Sequence, residues 1–226
     1  MTTLLLVNPN SSQTTTGMMV AIAQAEAGDR VEIRGVTARQ GPSMIVTPEA
    51  LAASAAEVVA LGIEAKGIDG IIVGAFGDPG LDELRRRVDV PVTGICEASM
   101  LEAAEGGRRF AVATTTPELV AAIDAKAAAF GALYRGVRLT EGDPFALVAD
   151  PARLAEALAE ATAACFGDGA EAVIIGGGPL GQAAMALETR FTEPVIGPIP
   201  AAVRRLLRLL PADPAASSAP SAPPRP

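Results

Sequence analysis

Asp69-Gly-Ile-Ile-Val-Gly-Ala75, a helical stretch and Val90-Pro-Val-Thr-Gly94 return in the second half of the chain as Glu171-Ala-Val-Ile-Ile-Gly-Gly177, a helical stretch and Glu193-Pro-Val-Ile-Gly197. Each member of the pair is a short, continuous apolar run that stops at glycine. Such runs belong to strands covered on both faces, and the glycine marks a tight turn into the next helix. The beginnings of the two halves echo as well. Leu4-Leu-Leu-Val-Asn-Pro-Asn10 matches Phe110-Ala-Val-Ala-Thr-Thr-Thr116, and Val31-Glu-Ile-Arg-Gly-Val36 matches Tyr134-Arg-Gly-Val-Arg-Leu139. Four matches in the same order make an internal repeat. The chain divides into residues 1–105, completed by the C-terminal helix, and residues 106–210, joined near Glu102–Gly107.

Strands are expected at Leu4–Val7, Val31–Val36, Ile71–Val73, Val90–Thr93, Phe110–Ala113, Tyr134–Leu139, Val173–Ile175 and Val195–Ile196. Ala-rich helical stretches separate them. Thr47-Pro48-Glu49, Thr116-Pro117-Glu118 and Asp150-Pro151 each put a capping side chain before a proline at the first helical position, and Asp78-Pro79 offers a fourth start. Alternation of this kind makes an α/β protein with doubly wound parallel sheets. The expected architecture is two pseudo-symmetric, flavodoxin-like halves. Each holds a mainly four-stranded parallel sheet flanked by helices, with a ligand cleft between the halves. Residues 211–226 are rich in Pro, Ala and Ser, too poor in apolar surface to fold, and are expected to be a disordered tail.

Composition narrows the chemistry. The 226 residues are 50% hydrophobic and 19% charged, with no histidine, no tryptophan and two cysteines. Without histidine, one chain can build neither a Ser-His-Asp triad nor a Cys-His pair. Cys96 and Cys165 alone cannot make a zinc site of the usual nitrogen and sulfur type, whereas a carboxylate-only metal site stays open. A net charge of −8 argues against nucleic-acid and anionic-membrane partners. No apolar run reaches the ~18 residues of a membrane span. Two unpaired cysteines and the lack of a leader-like start point to a cytoplasmic protein.

Parallel sheets bind ligands beyond the carboxyl ends of their strands. Those ends carry Asn8-Pro9-Asn10-Ser11-Ser12, Gly74-Ala75-Phe76-Gly77-Asp78, Glu97 with Ser99, Thr114-Thr115-Thr116 and Gly176-Gly177-Gly178. The two glycine-rich turns, one per half, each present backbone N–H groups at a helix start and so form anion cradles. Facing each other, they would flank one small carboxylate or cyclic amide. The candidate contacts are Asn8, Asn10, Ser11, Ala75, Phe76, Gly77, Thr114, Thr115, Gly177 and Gly178. No phosphate-binding loop or dinucleotide fingerprint stands in the right context. Structural alternatives stand beside these readings: Asn8, Asn10 and Thr114–Thr116 also serve as caps, and Asp78 before Pro79 reads as a cap before it reads as a base. Cys165 reads as a packed thiol, and Arg204, Arg205 and Arg208 as a solvated face in a last helical turn.

In this order, Val7-Asn-Pro-Asn-Ser-Ser12, Gly41-Pro-Ser43, Phe76-Gly-Asp-Pro-Gly-Leu81, Pro91-Val-Thr-Gly-Ile-Cys-Glu-Ala98, Phe110-Ala-Val-Ala-Thr-Thr115 and Pro194-Val-Ile-Gly197 with Ala201-Ala-Val203 resemble the aspartate/glutamate/hydantoin racemase superfamily, most nearly its hydantoin-racemase branch. The resemblance covers roughly residues 3–207. It implies a cofactor-independent isomerase acting on a hydantoin, amino acid or dicarboxylate-like molecule, and a homo-oligomer. It also implies two cysteines on opposite faces of an acidic Cα–H, one removing the proton and the other returning one. Here Ala75 and Gly177 stand at those two positions, and neither can carry a proton. Related arylmalonate decarboxylases keep one of the thiols, so they do not match either. The replacement candidates are Cys96, entering from another direction or simply buried; Glu97, as a base, a substrate-orienting group or a cap; and Asp78, if it turns inward. The only tyrosine, Tyr134, sits at the wrong edge. The expectation is a racemase-superfamily enzyme with a proton-transfer site that is not two thiols. The alternatives are a silent ligand-binding paralogue, or a decarboxylase or hydrolase using a carboxylate or water; a scaffold role ranks last.

Overall fold

The computed structural model describes residues 1–210, and the predicted tail lies outside the described residues. Strands form at all eight expected runs: β1 (Thr2–Asn8), β2 (Val31–Thr37), β3 (Gly70–Val73), β4 (Val92–Gly94), β5 (Phe110–Thr114), β6 (Tyr134–Leu139), β7 (Ala172–Ile175) and β8 (Val195–Ile196). β4 begins later than its apolar run because Pro91 has no N–H to give a ladder; its carbonyl still accepts from Ile71 N–H at 3.0 Å. Between the strands run α1 (Gln13–Ala27), α2 (Pro48–Glu64), α3 (Leu81–Arg87), α4 (Ile95–Ala103), α5 (Val120–Ala127), α6 (Pro144–Ala149), α7 (Pro151–Gly167), α8 (Gly181–Glu188) and α9 (Pro198–Leu209).

The strands assemble into two four-stranded parallel sheets with the same order, β2-β1-β3-β4 and β6-β5-β7-β8. Register repeats too, Val7 lying opposite Val73 in one sheet and Ala113 opposite Ile175 in the other. The inner strands β1, β3, β5 and β7 are buried on both faces, which is why they read as unbroken apolar runs, whereas the edge strands β2 and β6 are partly exposed. Outward-facing Leu5, Val7, Ile71 and Val73 pack with Val58 and Leu61 of α2 and Leu84 of α3. Ala111, Ala113, Val173 and Ile175 pack with Leu154 and Leu158 of α7 and Leu187 of α8. Inward-facing Leu4, Leu6 and Ile72 share one central core with Phe110, Val112 and Ile174 of the other sheet, filled in by α1, α4 and α9. The fully buried Phe110 ring meets Phe130 edge-on at 5.2 Å, within the range that aromatic pairs favour.

Three local expectations change. Thr47 and Asp150 cap their helices as anticipated, accepting from Ala50 N–H and Arg153 N–H. Asp78 does not cap the helix that follows it: α3 starts after Gly80, which is in the left-handed region and makes no side-chain cap bond. Thr116 opens only a short 3-10 turn and makes no cap bond either. Arg204 and Arg205 of α9 are not a solvated face, whereas Arg208 stays exposed as expected. Arg204 reaches Glu26 of α1 at 3.0 Å and Glu102 of α4 at 2.7 Å, and Arg205 reaches Glu97 at 3.5 Å. α9 thus leaves the second sheet and is clamped onto helices of the first half.

Candidate functional site

The repeat is most literal where the central strands end. Gly74 N–H donates to the Val7 carbonyl at 2.8 Å, and Gly176 N–H donates to the Ala113 carbonyl at the same distance. The next residues, Ala75 and Gly177, are therefore structural equivalents. Each then closes a turn with its own carbonyl, which accepts from Asp78 N–H at 3.0 Å in one half and from Leu180 N–H at 3.1 Å in the other.

The halves part company at that fourth residue. Asp78 adopts a φ of 52° and turns away to the start of α4, its Oδ1 accepting from Cys96 N–H at 2.9 Å and its Oδ2 from Glu97 N–H at 2.7 Å. A helix beginning Ile95-Cys96-Glu97 exposes a full set of unpaired N–H groups, and a carboxylate is a strong partner for them. α9 occupies the same place in the second half but begins Pro198-Ile199-Pro200. Two of those three residues have no N–H, so little is left to cap. Position 180 is thereby released from capping, and the residue there, Leu180, turns into the space between the halves.

Glycine lets the two turns touch. A Cβ at Gly178 would lie 2.8 Å from the Gly74 carbonyl oxygen of the opposite half, and one at Gly176 would meet the Phe76 ring at 3.1 Å. At this junction lies a cavity of about 50 Å³, counted as space open to water centres. That is room for a few waters or one small molecule. Gly74, Ala75 and Phe76 form one wall and Gly176–Leu180 the facing one. Met44, Ile45 and Leu51 close it from the first half, with Leu119 and Ile123 from the second.

Its polar groups are few and oriented. Asn10 Oδ1 is used by Asn8 Nδ2 at 2.8 Å and Ser12 N–H at 2.9 Å. Its own amide NH2 has no partner among the described residues, leaving the cavity a donor. Thr115 and Thr116 bring hydroxyls. Thr114 stands behind them, donating to the Gly176 carbonyl at 2.6 Å and holding the second turn in place. Among the described residues, none that lines the wall is ionisable. Among the described residues, no three His, Cys, Asp or Glu side chains gather closely enough to hold a metal ion.

The profile of the Asp/Glu/hydantoin racemase family matches residues 4–206. The chain belongs to this family. It is 31% identical over 212 residues to a hydantoin racemase of Rhizobium meliloti, covering 92% of this chain and 88% of that one. The allantoin racemase from Klebsiella pneumoniae superposes with a TM-score of 0.86 at 29% identity, over 92% of this chain and 87% of that one. Allantoin racemase from Pseudomonas fluorescens shares the fold, with a TM-score of 0.83 at 24% identity over 99% of both chains.

Within this racemase-family fold, Asn10, Ala75, Phe76, Thr115, Gly177 and Gly178, among the candidate contacts, line the cavity. Asn8, Ser11, Gly77 and Thr114 do not line it. Asn8 orients Asn10, and Ser11 pins the loop after β2 through its Oγ, which donates to the Gly41 carbonyl at 3.0 Å. The three candidate proton carriers also stay off the wall. Cys96 is fully buried in the central core, where desolvation and then the Asp78 charge push its thiol far above the ordinary range. Such a thiol stays protonated and is no base. Asp78 is spent on α4, and its burial raises the carboxyl to about 7. Glu97 points outward into an ion pair with Arg85 at 2.5 Å and another with Arg205 at 3.5 Å. The apolar wall, Met44, Ile45, Leu51, Leu119, Ile123 and Leu180, went unanticipated. The one available signal was place: Met44 and Ile45 follow β2, and Leu119 follows β5, at the carboxyl edge that holds the other contacts.

Proposed function

We propose that this racemase-family chain binds a small cyclic amide or carboxylate between its halves without the two-thiol proton transfer. It is a ligand-binding member of the family. The observation carrying this reading is that, among the described residues, no ionisable side chain lines the cavity wall. Racemisation needs a base within about 3 Å of the Cα–H on one face and an acid on the other. The equivalent positions that flank the cavity are Ala75 and Gly177, and the resemblance puts the family's cysteines there. What remains suits binding. Backbone N–H groups at two turns and the Asn10 amide offer donors to carbonyl or carboxylate oxygens, while the aliphatic walls accept a compact ring. The names of the relatives, hydantoin and allantoin racemases, point to five-membered cyclic amides as first ligands.

A second reading rests on the same aliphatic walls. Leu51, Leu119, Ile123 and Leu180 would desolvate a carboxylate placed beside the donors, favouring loss of CO2 with water returning the proton. One set of measurements separates the readings. NMR titration with hydantoin is expected to show saturable binding. In D2O, the bound ligand's C5–H signal is expected to decay no faster than in buffer. Catalysed exchange would overturn the silent reading, and the absence of binding would overturn both. CO2 release from a malonate-type acid would favour the second.

A further inference from the structure

We infer that Leu180 sets the size limit of the ligand, confining it to cyclic amides with at most a methyl-sized ring substituent; this rests on the binding reading above. The argument begins with the broken symmetry of the two turns. In the first half the fourth turn residue, Asp78, leaves for α4, so no side chain from that position covers Ala75. In the second half Leu180 folds back over its own turn. Its Cγ and Cδ1 lie 3.1 Å from where a Cβ on Gly177 would sit, filling the space that a side chain there would use. The pocket is thus open at one equivalent position and plugged at the other.

Leu180 cannot swing clear. It is 2% exposed and belongs to the core formed by Ala183, Ala184 and Leu187 of α8 and the outer face of the second sheet. Met44, Leu51 and Leu119 of the other walls are buried as well. The cavity is small, about 50 Å³, and a bulky substituent on a five-membered ring would compete with the Leu180 side chain for the space beside Gly177. Close-packed walls of this kind do not deform to admit another group.

The test is titration of the full chain with hydantoin, 5-methylhydantoin and 5-benzylhydantoin, followed by NMR and calorimetry, for the wild type, Leu180→Ala and Leu180→Val. The wild type is expected to bind the first two and reject the third. Leu180→Ala should gain at least about tenfold in affinity for 5-benzylhydantoin relative to its own affinity for hydantoin. Leu180→Val, a milder truncation, should gain less and serves if the alanine variant does not fold; binding of hydantoin itself reports a folded site. If 5-benzylhydantoin binds wild type and variants equally, or if the variants bind hydantoin but gain nothing for the larger ligand, Leu180 is not the limit. If none of the three ligands binds any of the proteins, the binding reading fails and this inference fails with it.

Discussion

Replacing Asp78 by asparagine separates two opposed effects on one carboxyl. The side chain is 3% exposed, and its desolvation outweighs the two backbone hydrogen bonds and the Lys126 charge, raising it from 3.8 to about 7. That difference corresponds to roughly 4 kcal/mol. Between about pH 4 and pH 7 the unfolded chain has lost this proton while the native chain keeps it, so wild-type stability falls as pH rises through that window. The loss is complete above the native value. Asparagine has the same shape, retains one acceptor for the start of α4 and does not titrate there. Urea unfolding of both proteins across pH 4–8 reads the difference directly. Surface carboxylates such as Glu32 and Glu171, held below the usual range by hydrogen bonds from Arg34 and Arg109, are common to both proteins and cancel. The expected result is that wild type loses roughly 4 kcal/mol relative to Asp78→Asn on going from low to high pH. A flat difference, or a wild type that gains on the variant as pH rises, would refute the reasoning. It would mean that the N-terminal dipole of α4 and its two N–H groups hold the carboxyl low despite burial.

Three further outcomes follow from the same geometry. Gly178→Ala should destabilise the fold by about 1–3 kcal/mol in thermal or urea unfolding, because its Cβ would press at 2.8 Å on a backbone oxygen of the other half that has nowhere to go. Arg204→Ala should cost about 1 kcal/mol, discounted for its partly exposed side chain; it severs α9 from Glu26 and Glu102, and the cost should shrink in high salt. Ala75→Cys with Gly177→Cys should give little catalysed C5–H exchange, since Leu180 crowds the second thiol. Adding Leu180→Ala to that pair should raise the exchange rate by about tenfold or more, measured by NMR in D2O.

Much of the fold was legible because its signals are local. A strand buried on both faces must be apolar throughout, so Ile71–Val73 and Val173–Ile175 announce themselves, and a glycine after each marks where the chain can turn. Thr47-Pro48 and Asp150-Pro151 are complete helix starts within a few residues. Asp78-Pro79 misled for an equally physical reason. The carboxylate is a cap, but for α4, whose N–H groups begin at the far end of α3 and β4. Arg204 shows the same limit: its charge is visible in the sequence, whereas its partners at Glu26 and Glu102 belong to elements folded earlier in the chain.

The candidate site divides along that line. Composition and periodicity by themselves determine a repeated α/β chain with two glycine turns at its strand ends and no thiol at Ala75 or Gly177. Which side chains enter the cavity was decided only when the halves closed on each other. Asp78 and Leu180 hold the same place in the same turn, yet one is drawn to unpaired N–H groups on α4 while the other, facing a helix that starts on prolines, is left to fill the cavity. Cys96 and Glu97, adjacent in sequence, end up in a sealed core and in a surface ion pair. Local chemistry sets the strands and turns; the direction of a side chain depends on which distant element needs it, and only tertiary contact supplies that element.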